Sequence, residues 1–152
     1  METVDKLIEQ LKDYPDPDAY GDLMLRLEDC GEAAVPALIE LLKDHYHRWA
    51  AARVLGHMGQ IAKPAVPALI EMTEGLDCGE RMHAAQALGT LGATADEAIP
   101  ALRRLLQDPH EADLVREAAE CALRQIASSR TATEGPSRHA ARDATKPKSK
   151  AS

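Results

Sequence analysis

The chain has 152 residues, which suits a single domain, and a formal net charge of -7 at pH 7. It contains no Phe, and aromatic residues make up 3% of it, so its core must consist of aliphatic side chains. No apolar run reaches the roughly 20 residues of a membrane span, and the N-terminal residues lack the basic and apolar regions of a signal peptide. These features predict a cytoplasmic protein.

Residues 1–31 predict a first helical hairpin. Residues 3–13 place apolar side chains at helical spacing on one face, and a second helix runs from about Pro17 to Asp29, closed by Gly31. Where later first helices carry Pro36, Ala37 and Leu41, this one carries polar residues, namely Asp5, Lys6 and Gln10. A terminal repeat needs a polar outer surface because nothing stacks on it. We therefore expect this hairpin to cap the N-terminal end.

Residues 32–59 and 60–92 contain the same pattern twice. AVPALIELLKD is followed by RWAAARVLGHMG, and AVPALIEMTEG is followed by RMHAAQALGTLG. In each unit a proline suited to a first helical turn precedes an apolar helix, and an Ala-rich second helix ends in Leu-Gly-x-x-Gly. Because phosphate-binding loops precede a helix, these glycines indicate close packing and helix termination instead. The period predicts a stack of helical hairpins.

Residues 93–127 repeat the pattern with charged departures. Arg103, Glu120 and Arg124 stand where the inner repeats have apolar or small residues. These positions would contact a following repeat, so their charge predicts a second polar cap. We expect the solenoid to end near Ala127.

Residues 128–152 contain no large apolar side chain, and such a segment cannot offset its ordering entropy by burial. They hold 6 Lys and Arg and 2 Asp and Glu, against 12 and 23 in residues 1–127, so a basic tail follows an acidic body. We expect a disordered tail. The acidic body argues against a nucleic-acid groove. The tail could contact nucleic acid, a membrane surface or an acidic protein, but such a run is more typical of a solubilising linker.

The repeated motifs, Val-Pro-Ala-Leu-Ile-Glu and Arg-x-x-Ala-Ala-x-x-Leu-Gly-x-x-Gly, resemble the HEAT repeats, in particular the HEAT-like repeats of phycobilisome bilin lyase subunits. The resemblance implies an all-α, right-handed solenoid of about four hairpins over residues 1–127. It also implies a non-catalytic scaffold or adaptor that binds another protein. The alternative is an accessory subunit of a bilin lyase-like or other cofactor-handling complex, because some members of the class hold a chromophore during its attachment.

In this class of fold the second helices line the concave surface. Once the Ala and Leu core positions of these helices are assigned, the remaining side chains should face that surface. We expect these residues to contact the partner: Trp49, Arg53, His57, Met82 and Gln86. Trp and Arg are enriched among interface hot spots. For Trp49 an alternative stays open, in which the indole covers its own core beside the loop at residues 45–47.

An arginine recurs at the start of three second helices, at Arg48, Arg81 and Arg116, each with an aspartate nearby, namely Asp44, Asp77 and Asp113. This ladder could bind an anion. Repetition in every unit is more typical of a structural role, in which each guanidinium binds loop carbonyls and carboxylates of its own or a neighbouring unit.

No pattern predicts catalysis, a metal or a cofactor. His45 and His47 lack a third ligand at suitable spacing. Cys30, Cys78 and Cys121 are odd in number and scattered, which predicts reduced thiols rather than a disulfide framework. We expect a monomer that binds a protein partner and no membrane.

Overall fold

The computed structural model describes residues 2–13 and 20–134, and these form an all-α repeat structure. The α-helices, in chain order, are α1 (Val4–Asp13), α2 (Tyr20–Asp29), α3 (Val35–Leu41), α4 (Arg48–His57), α5 (Val66–Met72), α6 (Cys78–Leu91), α7 (Ile99–Gln107) and α8 (Asp113–Glu134). They pair as four hairpins, as the sequence predicts. The expected start of the second helix near Pro17 lies outside the described residues.

Short 3₁₀ segments connect the hairpins, at Gly31–Ala34, Gly59–Ala65 and Gly92–Ala98. Each begins at a glycine with positive φ, between 58° and 61°, a backbone conformation that side chains with a Cβ rarely adopt. The prediction that these glycines terminate helices is confirmed. The 3₁₀ segments themselves were not predicted, because three or four residues per turn cannot be distinguished in such short stretches.

The helices form two rows. The first helices of the hairpins (α1, α3, α5 and α7) make one row, and the second helices (α2, α4, α6 and α8) make the other. Helix α6 packs between α4 and α8, and these three second helices approach one another more closely than the first helices do. In a curved stack the more tightly packed row lies on the inside, so this packing favours α4, α6 and α8 as the concave row.

The same position of every first helix carries a buried leucine. Four leucines at equivalent positions are at most 2% exposed: Leu7, Leu38, Leu69 and Leu102. Burying one leucine side chain contributes about 1.5–3 kcal/mol. On the second helices, Leu55 and Leu88 are fully buried among alanines, which allow these helices to lie close together. The aliphatic core predicted from the composition is therefore present.

Both ends of the stack are polar. At the N-terminal end Asp5 and Lys6 are exposed, and the Gln10 amide donates a hydrogen bond to Glu2. At the C-terminal end Glu120 and Arg124 form an ion pair with each other on the surface of α8. These side chains occupy the capping positions that the sequence predicts.

The C-terminal boundary differs from the expectation. We expected the solenoid to end near Ala127 and residues 128–152 to form a tail, but α8 continues to Glu134. Ser129 lies against Gly92, and the Arg130 guanidinium lies 3.4 Å from an Asp96 carboxylate oxygen, so this extra turn packs on the preceding connection. Extending an existing helix avoids the cost of nucleating a new one, which explains how a stretch without large apolar residues remains helical.

The disorder expected for residues 135–152 concerns positions outside the described residues. Although α8 has 22 residues, no helix within residues 2–13 and 20–134 has the combination of length and apolarity that crossing a membrane requires.

Candidate functional site

A groove of about 600 Å³ runs over the second helices α4, α6 and α8. Its lining repeats by register. At one equivalent position the three helices carry Arg53, Gln86 and Cys121. Four residues later in each helix they carry His57, Thr90 and Gln125. The groove is therefore a property of the stacked repeats and not of a single loop. We call this set of residues the concave groove.

Four of the five residues expected at a partner-binding surface line the concave groove: Arg53, His57, Met82 and Gln86. All but Met82, which is half-buried, are exposed. Helix α8 adds further lining residues that we did not predict, among them Leu114, Glu117, Cys121 and Gln125. The alignment of the fourth repeat with the second and third could have identified the last three of these.

Trp49, the fifth expected residue, is half-buried beside the groove and is not among its lining residues. Its ring packs edge to face on the buried Tyr20 of α2, with 5.1 Å between centroids. The indole N–H donates a hydrogen bond of 3.1 Å to the carbonyl of Tyr46 in its own loop. On its other side the ring centroid lies 6.1 Å from that of His83. Trp49 thus joins α2, α4 and α6.

Replacing Trp49 by alanine should lower the free energy of unfolding by about 1.5 kcal/mol, because the edge-to-face contact with Tyr20 and part of the apolar burial are lost. Trp49→Phe, which keeps a ring against Tyr20, should lose less than half of that. Urea unfolding of the two variants measures the difference. Equal stability of the alanine variant and the parent would show that Trp49 supports no core contact.

His83 of α6 is a groove residue that the sequence analysis missed. Ala50 and Ala118 occupy the equivalent position in the neighbouring repeats, so the imidazole departs from the repeat. Its Nδ1 is buried and has no hydrogen-bond partner within the described residues. Burial lowers the pKa of His83, and the nearby Arg53 charge lowers it further, while a hydrogen bond with Gln86 acts in the opposite direction. The ring is therefore neutral at pH 7.

We expect His83 to make stability depend on pH. The pKa of His83 in the folded protein lies below the unfolded value of 6.5. The folded state therefore has its full stability above pH 6.5, and it loses stability as the pH falls from 6.5 toward the folded pKa, because the unfolded state then binds the proton more readily. Between about pH 7.5 and pH 5, the melting temperature of His83→Ala should change less with pH than that of the parent. The other histidines are present in both proteins, so parallel pH profiles would show that His83 does not titrate in this window.

The arginine ladder links successive repeats. The Arg48 guanidinium donates to a Glu80 carboxylate oxygen at 3.0 Å, and the Arg81 guanidinium binds both carboxylate oxygens of Glu111 at 2.8 Å. Arg81 also donates to the carbonyls of Gly75 and Leu76, at 2.7 and 2.9 Å. In each case the carboxylate comes from the next repeat, so these side chains connect one unit to the next.

The third ladder residue, Arg116, pairs with Asp113 of its own helix. The other two aspartates shape their own loops. Asp77 caps α6 by accepting a 2.8 Å hydrogen bond from the Gly79 amide. Asp44 accepts hydrogen bonds from His47 and from the Tyr46 amide, which lower the pKa of its carboxyl. These contacts occupy the carboxylates that the sequence placed near the arginines.

The two loop histidines contact other groups of the chain. The His45 ring lies 3.3 Å from a Glu80 oxygen, and the His47 ring lies within hydrogen-bond distance of Asp44 and of the Lys12 carbonyl. Within residues 2–13 and 20–134, no three His, Cys, Asp or Glu side chains cluster as a metal site would require. The loop at residues 45–47 is accounted for by contacts between repeats.

Comparison with known proteins identifies two family models. The model of HEAT repeats matches residues 66–134, and the model of the PBS lyase HEAT-like repeat matches residues 48–75. Together they cover residues 48–134, that is, helix α4 of the second hairpin and the whole of the third and fourth hairpins, and this range contains the concave groove. No curated protein matches the chain.

Proposed function

The chain is a HEAT-repeat protein, and from this we propose that it is a non-catalytic scaffold or adaptor that binds another protein in the concave groove. HEAT repeats generally mediate protein interactions. A solenoid of this kind has an extended curved surface on which a partner can lie.

The composition of the concave groove supports this proposal most directly. Three helices present exposed side chains at one repeated register, and those at its centre are Arg53, Gln86 and Cys121. Beside them Met82 offers an adaptable thioether, and Leu114 is an apolar side chain that is 66% exposed. A guanidinium, an amide and apolar groups on a rigid support suit a segment of another protein.

A second candidate function comes from the match of residues 48–75 to the PBS lyase HEAT-like repeat. In that case the chain would be an accessory subunit of a lyase-like or other cofactor-handling complex. Co-expression with a chromophore-handling partner and measurement of visible absorbance in the purified protein would distinguish this candidate, since a scaffold alone retains no chromophore.

Affinity purification from the native cell with a blocked groove tests the proposal. Gln86→Trp places a large side chain at an exposed position in the centre of the groove, and Glu71→Trp places the same side chain at an exposed position on α5, in the other row of helices. A partner that binds in the groove should be recovered with the parent and with Glu71→Trp, and its yield should fall at least about tenfold with Gln86→Trp. Equal recovery with both tryptophan variants would contradict groove binding.

A further inference from the structure

The concave groove has opposite charges on its two sides, which are formed by α4 and α8, and this bears on the chemistry of the proposed partner. Helix α4 contributes Arg53 and His57, α6 in the middle contributes uncharged residues, and α8 contributes Glu117. Repeat alignment places Glu117 at the position that Met82 occupies in α6. The second and fourth repeats therefore carry charges at groove positions where the third repeat is uncharged.

Neither charge belongs to an ion pair within residues 2–13 and 20–134. Most arginines in the part of the chain that the structure describes lie within 4 Å of a carboxylate, including the whole ladder, but Arg53 does not. Glu117 likewise has no Lys, Arg or His nitrogen within 4 Å among those residues. Both side chains are exposed, and a fixed charge beside the apolar surface of Met82 and Leu114 is available to a bound molecule.

We propose that the concave groove takes an extended polypeptide segment that crosses the second helices, with an acidic side chain at Arg53 and a basic side chain at Glu117. This inference rests on the function proposed above and adds the chemistry of the partner. Apolar side chains between the two charges would lie over Met82, Ala87 and Ala118. Opposite electrostatic potentials on the α4 and α8 sides of the groove fix the position of such a segment and disfavour segments with the reverse charges.

The spacing sets the length of the segment. Packed helices lie about 8–10 Å apart, so α4 and α8, with α6 between them, are separated by roughly 20 Å. An extended chain advances about 3.3 Å per residue, so the acidic and basic side chains should be about six residues apart. A single arginine within a chain of net charge -7 offers no track for a nucleic-acid backbone, which favours polypeptide as the ligand.

A phage-displayed library of random peptides of about twelve residues, selected on the purified parent protein, provides the probe. Selected peptides should carry an acidic and a basic residue about six positions apart, with apolar residues between them. Arg53→Glu should weaken a selected peptide at least tenfold, and replacing the acidic residue of that peptide by lysine should restore binding to this variant alone. Glu117→Lys should be rescued in the same way by an acidic residue at the basic position of the peptide.

The control is Arg103→Glu combined with Glu97→Arg, which changes exposed charges outside the groove, keeps the net charge and should leave peptide affinity unchanged. Peptides that lose binding with Gln86→Trp but carry no paired charges would overturn this inference and leave the proposed function standing. Peptides that bind Gln86→Trp as tightly as the parent would overturn both. Concentration-dependent dimerisation of the parent in analytical ultracentrifugation that Gln86→Trp abolishes would identify a second copy as the occupant and would also overturn the inference.

Discussion

Replacing Glu111 by glutamine should lower the free energy of unfolding by about 3 kcal/mol. The Glu111 side chain is 4% exposed and binds the Arg81 guanidinium through both oxygens at 2.8 Å. Glutamine has nearly the same shape but no charge, so Arg81 would keep a positive charge in a largely buried position without its counter-charge. Chemical denaturation of the parent and the variant measures the loss.

Glu80→Gln is the matched control for that variant. The Arg48 guanidinium makes a single 3.0 Å contact with Glu80, and its own Nε is already buried without a partner within the described residues. The weaker connection should cost about 1 kcal/mol when it is removed. A loss of 1 kcal/mol or less for Glu111→Gln would contradict a structural role for the ladder.

The Glu111 contribution should also depend on pH. The hydrogen bonds from Arg81 lower the pKa of Glu111 below its ordinary value of 4.5, so the stabilisation is present above that value. It is lost as pH falls through 4.5 toward the lower folded pKa. The difference in stability between the parent and Glu111→Gln should therefore shrink in acid.

Gly89→Ala should destabilise the protein by about 3 kcal/mol, at the upper end of what overpacking usually costs. A Cβ at this position would lie 2.7 Å from the Cα of Ala122 on α8, so the two helices would have to separate. Because the obstacle is backbone, a change of side-chain rotamer cannot relieve it. The loss should exceed the gain of up to about 1 kcal/mol that alanine normally brings to a helix interior.

Two other glycines of the second helices grade this effect. At Gly56 the added Cβ would lie 3.1 Å from the Cα of Ala87, which a small shift can accommodate, so Gly56→Ala should change stability by less than about 1 kcal/mol. At Gly21 nothing lies within 4 Å, and alanine there should be neutral or stabilising. Equal melting temperatures for the three variants would show that close helix contact is not the reason for Gly89.

The fold could be predicted from the sequence because each repeat places the same side chains at the same register. Leu38 and Leu69 are buried at equivalent positions, and Gly59 and Gly92 end the second and third hairpins after the same Leu-Gly-x-x pattern. The polar caps were predictable for the same reason, since a departure from a repeat is visible only against its copies. The continuation of α8 to Glu134 was not, because it depends on Ser129 and Arg130 finding contacts on the preceding repeat.

The partners of individual side chains were harder to predict. Glu80 lies one residue before Arg81 within α6, whereas Glu111 lies five residues before Arg116 in a loop, yet both reach the arginine of the preceding repeat. Because the connections differ in sequence, alignment of the repeats does not place these two carboxylates together. The contact of Trp49 with Tyr20 likewise spans two hairpins and leaves no local signal.

The native cysteines allow the most direct test of binding in the concave groove. Cys121 is exposed within the groove, and Cys78, at the start of α6, is exposed and is not a lining residue. With the recovered partner bound, alkylation of Cys121 by a maleimide should slow at least about tenfold while that of Cys78 keeps its rate, because only the first thiol is covered. Unchanged alkylation of Cys121 in the saturated complex would contradict binding in the groove.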